Sequence, residues 1–353
     1  MFYPLPDLLH QSPKCSHIPT KKEEKWRFSP LERYLDKEYK KVSLSSLDIP
    51  DKPTEDYWIY FKDDKVLELE LPPSVHLKHE AHSLELNCFE DIEIYLHLEY
   101  SEQTFVDFDI NIIIQEHVNV SLYQTYEGAK KGFVLQSSHI KLEPCARLIQ
   151  TQVQDLSSEA VFILENRVHL DKSSRFKNFS LLKEGEYTHN FFHADLHYQS
   201  EVDITSLLLS HNAQKSMFSC DINHLADRSK SRVLSKQVIK NKSVCVFDAN
   251  TKITKDTKAT EAKQASHALL LGESAQIHAK PHLEIYSDDL SASHGTTVGE
   301  LDQDAISYLR SRGLGEEKAR SILISAFIND TLENIDDPRH KELVMKAIGG
   351  GDE

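Results

Sequence analysis

Histidines and cysteines carry most of the chemical promise in this 353-residue chain. His294 stands in the run Ser-His-Gly-Thr-Thr, residues 293–297. Read as a turn, with Gly295 free to adopt unusual backbone angles, that run leaves the imidazole accessible. A neutral imidazole is a good ligand for iron and, beside cysteines, a known though uncommon ligand of iron–sulfur clusters. The alternative is that His294 only caps the turn through hydrogen bonds. Ala292, two residues earlier, offers no ligand atom. His189, His193 and His197 recur every fourth residue, which on a helix would make a metal face. In a strand they would share parity but stand roughly 13 Å apart at about 3.3 Å per residue, too far for one ion. His76, His79 and His82 recur every third residue and fit neither a strand face nor a ligand set. Cys15, Cys88, Cys145, Cys220 and Cys245 form no C-x-x-C pair. Neither a G-x-x-x-x-G-K-[ST] loop, a G-x-G-x-x-G turn nor a G-x-S-x-G elbow occurs. No catalytic residue is therefore assigned, and any nucleotide chemistry belongs to another subunit.

Composition narrows the setting. Lysine and arginine total 41 against 56 aspartates and glutamates, a formal charge of -15. That balance opposes phosphate backbones and anionic membranes, which demand a basic surface. No apolar run approaches the roughly 18 residues of a membrane span. The start, MFYPLPDLLHQSPKC, lacks the basic and apolar stretches of a secretory signal. An odd number of scattered cysteines suits a reducing compartment, so a cytoplasmic protein is expected.

The elements that must position His294 separate into three regions. Residues 1–55 are polar and proline-punctuated, with one helical candidate over Glu23–Tyr39, where Trp26, Phe28, Leu31, Tyr34 and Leu35 only partly fit a helix face. Residues 56–299 read as a β core. Short apolar/polar alternations recur, as at Phe105, Phe108 and Ile110–Ile114, and again at Val202, Ile204 and Leu207–Leu209. Hairpin turns of the Asn-Gly type are nearly absent, which favours strands stacked coil on coil over an antiparallel meander. Periodicity alone does not count the coils and leaves a β-sandwich open. Residues 300–353 turn helical: Asp302 is placed to cap a helix, Gly313 to stop it, and Asp337-Pro338 to open a last helix that Gly349-Gly350 ends.

The segment KPHLEIYSDDLSASHGTTVGELD, residues 280–302, resembles the carboxy-terminal signature of the SufB/SufD family of iron–sulfur cluster assembly scaffolds. Supporting matches are EKWRFS at 24–29, Asn223-His224-Leu225-Ala226, Ser231-Arg232, Asp256, Thr260, Ala262 and Gln264, and YLRSRGLGEEKARSILISAF from Tyr308. The S-H-G-x-T-V-G form fits the SufD side of the family. The resemblance implies a mainly β protein built on a right-handed parallel β-helix, with a short N-terminal helical segment and a C-terminal helical subdomain. It implies a non-catalytic subunit that pairs with SufB through the last β-helix strands. It implies SufC docking through the terminal helices, at Leu309, Arg310, Arg312, Gly313, Ala319, Arg320, Leu323 and Phe327, with ATP hydrolysed on two SufC copies. For any one of these residues, the alternative is simple packing onto the β core. His294 would contribute to a transient iron–sulfur cluster, or an iron ion, shared with SufB. A flavin has been linked to such complexes, yet no residue here marks its site; a homodimer of the lone subunit is also compatible. Where the family commonly has cysteine, this chain has Ala292, so it supplies no thiolate there. Two other functions are compatible: an interaction protein of this fold outside cluster assembly, which the missing cysteine at 292 favours, and a carbohydrate-active β-helix protein, which the acidic composition opposes.

Overall fold

The computed structural model describes residues 2–5, 8, 29–34, 36–41, 57–63, 65–80, 82–183, 185–255 and 257–349. They form a β-solenoid of about eight turns. One sheet takes the even strands β8 (Thr104–Ile114), β10 (Phe133–Leu142), β12 (Val161–Leu170), β14 (Tyr187–Leu196), β16 (Lys215–His224), β18 (Val244–Ile253) and β20 (Gln276–Ile285), all parallel in that order. The other takes the odd strands β7 (Ile92–Tyr100), β9 (Asn119–Gly128), β11 (Arg147–Leu156), β13 (Arg175–Leu182), β15 (Glu201–Ser210), β17 (Lys230–Lys240), β19 (Lys258–Leu271) and β21 (Asp289–Gly299). Phe105, Phe133 and Val161 stack in register, 28 residues apart at each step, so one coil takes about that much chain.

Alternation along each strand sends every second side chain inward, as in β16, where Phe218, Cys220 and Ile222 are buried between sheets. The rings of Phe218 and Phe247, register partners on adjacent coils, stack with centroids 6.2 Å apart. The corners explain the missing Asn-Gly turns. Residues other than glycine take the left-handed position, among them His117, Cys145, Ser173, Gln199 and Arg228. A hydroxyl then bonds the carbonyl three residues back: Thr104 to Ser101 (2.8 Å), Ser174 to Asp171 (2.7 Å), Ser200 to His197 (2.8 Å), Ser229 to Ala226 (2.9 Å) and Thr257 to Thr254 (2.9 Å). That recurring hydroxyl closes the corner locally, without glycine.

The interior is not wholly apolar. Gln152 sits in a buried amide network: its Nε2 donates to Gln124 Oε1 (3.3 Å), Tyr126 OH (3.4 Å) and Asn166 Oδ1 (3.3 Å). Its Oε1 accepts from Asn178 Nδ2 (3.2 Å) and Ser180 Oγ (3.1 Å). Asn166 continues the chain to Asn190 at 2.8 Å. Buried amides persist here because they bond one another.

His224, at the end of β16, is fully buried, with Nδ1 and Nε2 each 2.8 Å from the hydroxyls of Ser229 and Ser231. Burial pulls its pKa down to about 4. Unfolded, the ring titrates near 6.5. The unfolded chain therefore binds the extra proton, and stability is full above about pH 6.5 and falls as pH drops toward 4. The loss should reach about 3 kcal/mol, at about 1.4 kcal/mol per pH unit between the two values. Urea midpoints at pH 7 and 4.5 check this. A His224→Gln chain should lose less, and an equal loss would acquit His224.

The two ends of the solenoid differ. At the N-terminal end, β3 (Trp58–Lys62) pairs antiparallel with β4 (Lys65–Glu70), and β5 (Val75–Glu80) with β6 (Ser83–Cys88), so hairpins close the first coil. The near absence of Asn-Gly turns had argued against hairpins, but Asp63 supplies the left-handed angle at one of them. Further out, β1 (Phe2–Pro4) pairs antiparallel with β2 (Glu38–Lys41), which joins β8. Of the helical candidate over Glu23–Tyr39, residues 23–28 and 35 lie outside the described residues. Between and beyond them stand one 3-10 turn, Leu31–Arg33, and then β2, whose pairing with two neighbours overrides helix periodicity.

Three helices follow the solenoid: α1 (Gln303–Ser311), α2 (Glu316–Leu332) and α3 (Pro338–Gly349). Asp302 caps α1 by accepting from the Asp304 and Ala305 amides, and Gly313 takes φ +91° after it. Asp337 accepts from the Arg339 amide at the start of α3. These helices run back along the outer face of the odd-strand sheet. Near the last coils Leu301, Ile306 and Ala319 pack on Leu269. Toward the first, Leu332, Ile335 and Val344 cover Trp58, Tyr95, Tyr123, Phe179 and Leu207. Lys236, nearly buried, pairs with Asp330 and lies 4.8 Å over the Phe327 ring. Among the described residues no helix is long and apolar enough to cross a membrane.

Candidate functional site

His294 belongs to the coil that ends the solenoid. The turn expected around it is absent: residues 289–299 are strand β21, because their backbone completes a parallel ladder with β19. Gly295 is not among the residues with positive φ, and a Cβ there would meet nothing within 4 Å. The ring is nonetheless accessible, for a different reason.

Register supplies it. Ala292, His294, Thr296 and Val298 sit opposite Ala262, Gln264, Ser266 and Ala268 of β19, all four buried. Side chains opposite one another in a ladder face the same side, so His294 belongs to the interior set. The column beneath it runs through Gln264, Val233, Ile204, Asn178 and Gln150. His294 is exposed because no further coil stacks on it. Gln264, directly below, donates through Nε2 to Thr251 Oγ1 at 2.6 Å and to the His282 carbonyl at 3.3 Å, while its buried Oε1 has no hydrogen-bond partner. The neighbouring column is a hydroxyl ladder, Ser180, Ser206, Ser235, Ser266 and Thr296, which reaches the open end beside His294. Sequence reasoning missed that ladder, since its members are 26 to 31 residues apart; the spacing of one coil was the only signal for it.

Both terminal strands, β20 and β21, lie at the edges of their sheets. Unlike every inner strand, neither holds a single fully buried residue. Ile285 (45% exposed), Tyr286 (58%) and Val298 (51%) present apolar surface there. Ala292 adds no ligand atom to this end. Nor do the buried cysteines Cys88, Cys220 and Cys245 supply a ready thiolate: burial pushes the Cys88 and Cys245 thiols up to about 12. Cys145 is exposed at a corner between β10 and β11, and Cys15 lies outside the described residues.

The spaced histidines do not converge. His189 Nε2 is 2.7 Å from Ser219 Oγ, His193 lies 3.4 Å from Asp195, and His197 sits against the His169 ring.

The eight residues expected on the SufC-facing surface divide. Ala319 is fully buried, and Leu309, Leu323 and Phe327 are half-buried in the cluster that anchors the helices to Leu269. Arg310, Arg312 and Gly313 are exposed around the α1–α2 turn, with Tyr308 (59% exposed) beside them. Arg320 is half-buried and pairs with Glu316 at 3.2 Å. The apolar members thus have a packing role within the chain, and the polar ones line an open surface.

Comparison with known proteins agrees with this architecture. Residues 99–327 match the family model described as SUF system FeS cluster assembly, SufBD core domain. The chain is 23% identical to the iron–sulfur cluster assembly protein SufD of Escherichia coli over 394 aligned positions, covering 94% of this chain and 89% of the relative. It is 31% identical over 146 positions to SufD of Bacillus subtilis, covering 41% of this chain and 33% of the relative. With the chloroplastic protein ABCI7 of Arabidopsis thaliana it shares 24% identity over 68% of this chain, spanning about half (51%) of that relative.

Proposed function

The chain belongs to the SufB/SufD family, and on that footing we propose that it is a SufD-type scaffold subunit of iron–sulfur cluster assembly, with no catalytic residue of its own. The bare last coil carries this reading. Edge strands with unpaired backbone groups and apolar side chains invite association, and proteins usually cover or charge them. A partner adding its own strands would satisfy both sheets at once. SufB is the partner proposed. Its strands would convert His294 from the end of a column into the interior of a joint. There the imidazole would hold a nascent cluster, or an iron ion, as cargo, with SufB thiolates standing in for the one that Ala292 cannot offer. SufC would dock on the exposed α1–α2 turn at Arg310, Arg312 and Gly313, with Arg320 nearby, and hydrolyse the ATP. Leu309, Ala319, Leu323 and Phe327 would act indirectly, by fixing the helices to β19. The reading places the protein in the cytoplasm and assigns no residue to a flavin.

Co-expression with SufB and SufC from the same genome tests it. A purified assembly of one copy of this chain, one SufB and two SufC is expected. His294→Ala should leave that assembly intact and lower its cluster yield by roughly tenfold or more, the usual cost of disturbing a metal site. An unchanged yield would remove His294 from the site. A folded chain that joins neither partner would overturn the scaffold reading and leave an interaction protein of the same fold.

A further inference from the structure

A second constellation lies far from His294 in the chain, where α3 returns to the first coil. Glu93, on β7, meets Asp337 and His340, at the start of α3; one ligand atom from each lies within 4.8 Å of the others. His340 is fully buried, and its Nε2 makes no hydrogen bond although it points at Glu93 Oε1 from 3.6 Å. Its other nitrogen, Nδ1, is 3.1 Å from the Thr151 hydroxyl, which fixes the ring with Nε2 toward the carboxylates. A buried imidazole nitrogen without a partner is costly, so its aim into a pair of carboxylates needs an explanation.

From these residues we propose that Glu93, Asp337 and His340 bind a divalent first-row transition-metal ion. One imidazole and two carboxylates are the donors such ions accept; calcium and magnesium prefer all-oxygen shells, and copper(I) prefers sulfur. Donors about 2.1 Å from one ion stand about 3–4 Å apart, so the cluster closes on an ion through small side-chain rotations. Tyr95 OH donates to Glu93 Oε1 at 2.7 Å, an outer hydrogen bond of the sort that orients ligating carboxylates. Glu93 and Asp337 are 20% and 18% exposed, which leaves solvent access and coordination positions for water. The Arg339 guanidinium bridges both carboxylates; it is 64% exposed and can swing out. Arg339 is thus the internal cation with which the metal competes. Binding would pin the last helix to the first coil.

The full-length chain is titrated with Zn2+ in a calorimeter and with Co2+ followed by its visible absorption. Wild type should take up one equivalent that Glu93→Gln weakens at least tenfold, the glutamine still accepting from Tyr95. Arg339→Ala should tighten that same equivalent, because the competing guanidinium is gone. Zn2+ should raise the melting temperature of wild type and not of Glu93→Gln. His340→Gln repeats the test but replaces a buried ring, so Glu93→Gln and Arg339→Ala decide. Identical uptake by wild type and Glu93→Gln would place the ion on other histidines and overturn the proposal. So would the absence of saturable uptake in both wild type and Arg339→Ala, which would leave a structural ion-pair cluster only.

Discussion

A chain ending at Gly299 is expected to lose its cooperative fold. Without α1–α3, the solenoid would expose the stripe of Trp58, Tyr95, Tyr123, Phe179, Leu181 and Leu207 that Leu332, Ile335 and Val344 now cover. Those three residues, two in helices and Ile335 in the connection between them, are almost fully buried. At roughly 1.5–3 kcal/mol for each buried aliphatic side chain, they alone contribute about 5–9 kcal/mol, comparable to the whole stability of an ordinary domain. Lys236 would lose both Asp330 and the Phe327 ring that now pack over it. Gel filtration and thermal melting followed by circular dichroism measure the effect, and a soluble truncation with an unchanged melt would contradict it. Truncation is therefore a poor probe of partner docking, since failure to bind would follow from a damaged scaffold. Arg312→Glu, at an exposed position on the α1–α2 turn, separates the two causes, because it should leave the melt unchanged.

Replacing Gln152 by leucine is expected to cost on the order of 4 kcal/mol, the second large effect. The side chain is of similar length, so no large cavity opens. What is lost is the hub of the interior network. Asn166, Asn178, Ser180, Tyr126 and Gln124 all bond Gln152, and each buried group left without its partner costs about 1–3 kcal/mol, offset in part by those that bond one another. Urea unfolding measures it; a cost below about 1 kcal/mol would mean that the network rearranges around the gap. The result also bears on register. A buried amide set that is satisfied in one stacking only disfavours a coil slipped by a residue, which would carry every amide to the outer face.

Much of this was legible in the residues. Alternation at Ile110–Ile114 and Leu207–Leu209 marked the strands, and the scarcity of Asn-Gly turns pointed to stacked coils, because both signals are local and repeat within a few positions. Asp302, Gly313 and Asp337-Pro338 marked the helix ends for the same reason: a cap acts on amides or carbonyls within one turn. His294 was singled out from its signature, but its setting was misread. Ser-His-Gly-Thr-Thr looks like a turn on local chemistry, whereas pairing with β19 extends it. Hydroxyl-closed corners such as Ser174 over Asp171 hid the coil period, since serine and threonine carry no unambiguous turn signal.

By itself, the sequence determined the β character of the core, the helical ending, the acidic surface and the family, all properties that neighbouring residues or an ordered motif express. Only the tertiary structure decided that His294 and Thr296 close interior columns at an open end, that Ala319 is packing while Arg312 is surface, and that Glu93 meets His340 across most of the chain. The physical reason is that those facts depend on register between residues a coil apart and on where the last helices return. Hydrogen-bonded ladders and apolar burial set both over the whole molecule, and no window of the chain contains them.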